Sequence, residues 1–461
     1  MCPRMQTVLI TVDALRADHL SQYGYHRDTM PVLDQLAETG TVFENAYANA
    51  PYTRVSIPSF HTSRYLAYEQ LESFPTIAST LSERGVTTAA IGTQTGIGLV
   101  DGDFRFDELI DLGRDAYHEE ANASRPLTER ATARVNDVAT SVSKRLQRHG
   151  ADRLYDSLKK PYNAVFGDSG FRFLGYTSAE HVTDRASEWL AANADSDFFL
   201  WIHYMEAHRP YGVHDTDPAY LDEPVDEERI KSLMKKAGTQ PERLTASERE
   251  LMQDLYDSDV RFASRQIDRL FGQLRDLGVW DDVSVLFSSD HGEEFGEHGR
   301  YFHRNYPYEE LTHVPLVVKS PAVEDAPDRV GGTRELVDLL PTICAFHGVD
   351  PAGTVEGEHL FEGDSRRAFS LGQPKDASPA VALRTEEWSY ITNDETTQLY
   401  DRTTDRTEQD DLADDRPDVV ARLDGQIPPR LRTRDVNAPR APDDEVDREH
   451  LEALGYMELR E

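Results

Sequence analysis

The chain has 461 residues, enough for a large core and, by length alone, for two or three domains. It carries 84 Asp and Glu against 49 Lys and Arg, a net charge of −35 with only eight Lys. The absence of any basic stripe excludes nucleic acid as a partner, and the evenly spread acidity suits a salt-rich interior that screens self-repulsion, as in halophiles.

Thr7 to Val12 is a β-branched run ending at Asp13, so a buried strand is predicted there. Because it follows Met1 to Gln6 at once, no signal peptide is expected. No run of 18 apolar residues is present to span a membrane. Two cysteines, Cys2 and Cys344, make no disulfide framework and fit a reducing compartment, so a cytoplasmic location is expected. Pro31 to Thr39 reads as a helix closed by Gly40, Thr41 to Tyr47 as a second strand, and Ala48 to Ser63 as a polar stretch. Thr76 to Arg84 and Thr87 to Gly92 continue the alternation of helix and strand, which argues for a parallel sheet covered on both faces.

Residues 113 to about 177 are polar and weakly periodic, and 212 to 245 are acidic and proline-containing; both read as insertions. Between them, Ala179 to Asn193 is a predicted helix and Phe198 to Tyr204 an aromatic-rich strand. Ala246 to Leu277 is a long amphipathic helix closed by Gly278. Val283 to Ser289 is another apolar run, stopping at Asp290, His291 and Gly292. Val314 to Lys319 is a further strand, and Glu335 to Phe346 a helix that Pro341 should kink or restart. After about residue 355 the composition shifts, and Ala380 to Thr385, Trp388 to Asn393 and Gln398 to Asp401 suggest a small antiparallel sheet. Residues 404 to 461, rich in Asp and Arg, read as one helix and a loosely packed tail.

Asp13 and the Asp290–His291 pair end two predicted strands that a parallel sheet can bring side by side, and open α/β sheets place ligands beyond those strand ends. Converging carboxylates suit a divalent cation, and one imidazole shifts the preference toward Mn²⁺ or Zn²⁺. A strand ending in an ordinary polar turn is the alternative. His208 follows the Phe198 to Tyr204 strand at the same edge, where it could bind an oxygen or protonate a leaving group; His298 and His303 could act similarly. Arg16 could pair with an anionic substrate or form a structural salt bridge, and Glu293, Glu294 and Glu297 read as a solvated or supporting face.

These stretches resemble the sulfatase family of the alkaline phosphatase superfamily. Ile-Thr-Val-Asp-Ala-Leu-Arg-Ala-Asp-His-Leu (10–20) resembles its first metal-binding strand, and Ala-Pro-Tyr-Thr-Arg-Val-Ser-Ile-Pro-Ser-Phe-His-Thr-Ser (50–63) its nucleophile segment. His-Tyr-Met-Glu-Ala-His-Arg-Pro-Tyr (203–211), Ser289 to Leu316 and Leu-Tyr-Asp-Arg-Thr-Thr-Asp (399–405) follow in the family's order. The resemblance implies one divalent cation (Ca²⁺, Mn²⁺ or Mg²⁺) on Asp13, Thr53, Asp290 and His291, with His208 and His303 catalytic and Arg16 and His298 toward the substrate. Counting back from Thr62 puts the nucleophile at Thr53; counting back from Pro58 puts it at Ser56. Thr53 cannot be converted to the formylglycine of sulfatases proper. Ala14, Ile57 and Ser63 replace the family's second Asp, its Arg and its Gly, and its Lys before Tyr-Glu-Glu is absent, with His303 nearby.

The expected fold is α/β: a doubly wound, mostly parallel sheet flanked by helices over residues 1–355, with a small α+β C-terminal subdomain over 356–461. The expected activity is metal-dependent hydrolysis of a sulfate or phosphate ester, on a small anionic ester or a sulfated or phosphorylated glycan. Transfer of a phosphorus-containing head group and non-catalytic binding of anionic glycans are the alternatives.

Overall fold

The computed structural model describes residues 4–66, 68–93, 104–112, 177–213, 217–373 and 378–432. All but the last residue of the insertion expected near 113–177 lies outside these, as does the tail after Arg432. In chain order the strands are β1 (Gln6–Val12), β2 (Thr41–Phe43), β3 (Ala46–Tyr47), β4 (Thr87–Gly92), β5 (Glu108–Asp111) and β6 (Phe198–Tyr204). Then come β7 (Ser284–Ser288), β8 (Glu294–Phe295), β9 (Tyr301–Phe302), β10 (His313–Val314), β11 (Leu316–Lys319), β12 (Arg329–Val330) and β13 (Arg334–Glu335). The last four are β14 (Ala368–Gly372), β15 (Ala380–Arg384), β16 (Trp388–Thr392) and β17 (Thr397–Asp401).

Eight strands form the main sheet in the order β12-β2-β11-β7-β1-β6-β4-β5. Only β11 runs antiparallel to its neighbours β7 and β2. Side-chain alternation divides the core into two layers. Val8, Ile10 and Val12 of β1, with Val285 and Phe287 of β7, face the helices Ala179–Asn193 and Ala246–Asp276. Leu9 and Leu286 face the opposite layer, which includes α2 (Thr53–Thr62), α3 (Ile77–Ser82) and the helix Leu339–Phe346. This two-faced burial explains why β1, β6 and β7 are apolar without interruption.

The chain departs locally from the sequence expectations. Thr41 to Tyr47 is two strands in different sheets, since β3 joins β10 and β13. The polar stretch contains helix α2, because its hydroxyl groups find buried partners: Ser59 and Thr62 donate to Val55 O (2.6 Å) and Pro58 O (2.8 Å). The excursion after residue 212 holds the helix Glu227–Thr239, capped by Asp226. Pro341 follows a short 3₁₀ turn, Leu336–Asp338, and sits in the first turn of the helix, where its missing N–H costs nothing. The C-terminal antiparallel sheet has four strands, β14-β15-β16-β17, one more than expected.

Candidate active site

The parallel register sets Thr11 of β1 opposite Ser288 of β7 and opposite His203 of β6. The next residues beyond β1 and β7 therefore emerge together at the carboxyl edge of the sheet. Ser289 ties the two strand ends: its hydroxyl meets Val12 O (2.7 Å) and His291 O (2.6 Å), and accepts from Leu15 N (2.9 Å). Asp13, Asp290 and His291 are fully buried, and one ligand atom from each lies within 4.8 Å of the others. Ala14, where the family has a second Asp, turns through φ 58° and aims its N–H at Asp290 Oδ1 (3.4 Å).

Thr53 is the first residue of α2, and its hydroxyl lies 3.0 Å from His291 Nε2. The helix N-cap is Tyr52, whose side chain makes no capping bond, so Thr53 does not serve as the cap. His291 Nδ1 is 2.8 Å from Gly292 O; a carbonyl only accepts, so Nδ1 carries a hydrogen, and in the neutral ring Nε2 offers its lone pair on the Thr53 side. Ser56, the other candidate, instead donates to the Asp290 main-chain carbonyl at 2.6 Å. Ile57 packs in the core beneath α2, and Ser63 ends the helix at φ 53°, a left-handed position that favours the family's Gly.

His208 and His303 come together across the site. Their ring centroids are 5.0 Å apart, and His303 lies 4.8 Å from His291. His208 Nδ1 donates to Arg209 O at 2.6 Å, and His303 Nδ1 is 3.2 Å from Glu293 Oε1. His298 lies elsewhere: it stacks on Tyr308 at 3.6 Å and pairs with Glu310 at 3.5 Å. Arg16 is a structural clamp, forking onto Asp18 at 2.8 and 2.7 Å and reaching Glu297 Oε1 at 2.5 Å and Glu293 O at 3.0 Å. Of the solvated and supporting faces expected for Glu293 and Glu294, the supporting one fits: both are buried, Glu293 against His303 and Glu294, the first residue of β8, against Arg304.

Two contributors had only weak sequence signals. His203, on β6, places Nε2 3.5 Å from Asp13 Oδ2. Trp201 Nε1 donates to Thr11 Oγ1 (2.9 Å), which sits 2.7 Å from His203 Nδ1. With Thr11 accepting from the indole, its O–H is turned to His203 Nδ1, and the Nε2 hydrogen points at Asp13. A His inside an apolar strand was the available clue. Arg209, next to His208, lays its guanidinium 4.2 Å over the Phe302 ring.

The electrostatics separate the carboxylates. Burial would raise Asp13, but His208, His203 and His291 outweigh it and hold the carboxyl well below its usual range. Asp290 is pushed up by burial and by the charge of Asp13. Burial works against a charged His291, yet Asp290 and Asp13 prevail and raise it. Burial lowers His208 to about 4 and lifts Glu293 to about 7. Two buried carboxylates and an imidazole lone pair on one point, with Asp290 Oδ2 accepting no hydrogen bond among the described residues, form a donor set that fits a divalent cation.

The sequence pattern of the Sulfatase family matches residues 6–349, and the chain belongs to that family, ester hydrolases of the alkaline phosphatase superfamily. It is 23% identical over 463 aligned residues to arylsulfatase K of Danio rerio, covering 91% of this chain and 82% of that one. In fold it resembles the phosphonate monoester hydrolase of Agrobacterium radiobacter, with a TM-score of 0.65 and 17% identity over 92% of this chain and 94% of the other. It also resembles BT4656, solved in complex with D-glucosamine-2-N,6-O-disulfate, with a TM-score of 0.64 and 16% identity over 92% of this chain and 97% of that one. Family members generally bind a divalent metal. Among the described residues no helix is long and apolar enough to cross a membrane.

Proposed function

We propose that the chain is a metal-dependent hydrolase of sulfate or phosphate esters whose nucleophile is Thr53. The observation that carries this reading is the Thr53 hydroxyl, 3.0 Å from His291 Nε2 at the N-terminus of α2. A divalent cation held by Asp13, Asp290, His291 and Thr53, of which Ca²⁺, Mn²⁺ and Mg²⁺ are candidates, would neutralise charge on the substrate's oxygens. The N-terminal end of α2 adds its own partial positive charge at the same point.

Thr53 Oγ bonds to sulfur or phosphorus as the ester oxygen departs on the opposite side; the hydroxyl proton passes to the Asp290 carboxylate, and the departing oxygen leaves as an oxyanion that takes a proton from solvent. His208 and His303 line the approach; an anionic substrate would favour their protonated rings, whose Nε2 hydrogens would then meet the non-bridging and leaving oxygens. Water then cleaves the ester on Thr53, restoring the hydroxyl and releasing sulfate or phosphate. His203 holds Asp13 in place throughout. The substrate class is a small anionic ester or a sulfated or phosphorylated glycan, supported by the disulfated sugar in BT4656. The acidic composition and the buried, free Cys344 support a salt-rich, reducing cytoplasm.

The test is turnover of aryl sulfate, phosphate monoester, diester and phosphonate substrates by Thr53→Ala, Thr53→Ser and Ser56→Ala. Thr53→Ala should lose about 10³-fold or more in kcat with its unfolding midpoint unchanged, Thr53→Ser should keep part of the activity, and Ser56→Ala should be milder than Thr53→Ala. An active Thr53→Ala enzyme would end the covalent-threonine reading.

A further inference from the structure

The hairpin that brings Glu293 and His303 into the site has a second face. Glu294 opens β8 and Arg304 follows β9, and the two pair with each other, away from Glu293 and His303, which pair at the site. Glu294 and Arg304 meet at 2.8 Å, and His298 and Glu310 join them. Glu408, which follows β17 of the C-terminal sheet, completes the group.

We propose that His298, Glu310 and Glu408 form a second divalent-cation site, a structural one that pins this hairpin to the C-terminal sheet. One ligand atom from each lies within 4.8 Å of the other two. Glu310 and Glu408 are 6% and 1% exposed. Both carboxylate oxygens of Glu310 are buried and accept no hydrogen bond among the described residues, and Oε1 faces His298 Nε2 at 3.5 Å, whereas Glu294 beside it already pairs with Arg304. Leaving both oxygens of the Glu310 carboxylate dry costs several kcal/mol unless something positive meets them.

The remaining ligands are already oriented. His298 is clamped flat on Tyr308, 9° from parallel, with Nε2 3.5 Å from Glu310 Oε1. Glu408 takes the Glu309 N–H on Oε2 (2.9 Å), and Arg384 (3.0 Å) and the Ser389 hydroxyl on Oε1, which fixes the plane of its carboxylate. Nearby, the carboxylates of Glu294, Glu309, Glu310 and Glu408 face three guanidiniums, those of Arg304, Arg384 and Arg402. Glu310 is the one of these carboxylates with no guanidinium partner among the described residues. An imidazole with carboxylates selects Mn²⁺ or Zn²⁺ over Ca²⁺, and metal–ligand distances near 2.1 Å require the three ligands to draw in by about 1 Å or less. A proton on His298 is the competing occupant of the same charge.

Metal content after dialysis against Mn²⁺ or Zn²⁺ separates the two, measured on the full chain, Asp290→Ala, Glu310→Gln and the double variant. Two cations per chain are expected in the parent, one in each single variant and none in the double. Glu310→Gln retaining the parent's content, and the double retaining that of Asp290→Ala, would overturn the site and leave the proton in place. Unchanged metal in Asp290→Ala faults only the sheet-edge centre, because the second site is read from the Glu310→Gln difference. If Glu310→Gln does not fold, His298→Gln, which keeps every carboxylate–guanidinium pair, replaces it with the same outcomes.

Discussion

Asp290 and Glu309 are carboxylates buried at the two ends of one segment, and the fold treats them oppositely. Asp290 sits beside a second carboxylate, Asp13, which together with burial pushes its proton affinity up. For Glu309 burial also disfavours the charge, but Arg402 and Arg384 outweigh it and hold the carboxyl down at about 2. Its Oε1 receives the Tyr47 hydroxyl at 2.9 Å and its Oε2 receives Arg384 Nε at 2.9 Å. A buried charge with all its partners is architecture, joining the sulfatase core to the C-terminal sheet. A like-charge pair left facing each other at a sheet edge suits a site built for a cation that arrives from outside.

The largest effect that tests this contrast is on the paired side. Arg384→Met removes the bonds to Glu309, to Pro307 O and to Glu408, leaving buried carboxylates short of a partner. It should cost about 3–5 kcal/mol in denaturant unfolding. The lowered Glu309 stabilises the fold above its unfolded value near 4.5, and that contribution is lost as pH falls toward 2. Arg384→Met should therefore lose part of the parent's fall in stability between pH 4.5 and 2. A cost under about 1 kcal/mol at neutral pH would show that the network is not what holds the seam.

A smaller effect should come from the joint between the two regions. A Cβ on Gly292 would stand 2.0 Å from the Glu310 main-chain oxygen, with no flexible side chain to yield. Gly292→Ala must therefore displace either the His291 end or the Glu310 end. If it moves His291 by about 1 Å, turnover should drop about 100-fold while the Arg384 network stays intact. Normal turnover with a lowered unfolding midpoint would place the displacement at Glu310 instead.

The smallest concerns a buried polar group with neither kind of purpose. His61, in the last turn of α2, packs among Phe60, Phe104 and Trp201, and neither ring nitrogen has a hydrogen-bond partner among the described residues. Burial lowers it to about 3, so it folds neutral. Stability from that neutral form is complete above its unfolded value near 6.5 and lost as pH falls toward 3. His61→Phe should gain about 1 kcal/mol at neutral pH and flatten the acid limb. A loss of stability would indicate a partner for the imidazole.

Much of the catalytic half was legible in the sequence. Apolar runs ending at Asp13, Tyr204 and Ser289 marked three adjacent strands, because strands buried on both faces must be apolar throughout and their polar ends then stand out. The order of the motifs pointed to the sulfatase family for the same reason: each is a short local segment whose side chains need only a strand end or a helix start. What the sequence left open was which hydroxyl meets the imidazole, since a run with Thr53 and Ser56 is compatible with either register until α2 is docked on β7. It also left open whether Glu293 and Glu294 face solvent or support the site, and it offered His298 a place toward the substrate, because spacing alone does not say how that turn folds. His298 lies instead against Tyr308, Glu310 and Glu408, the last brought in from beyond β17. Local pattern determined the elements and the residues at their ends; contacts between residues hundreds of positions apart decided which of those polar groups share a site.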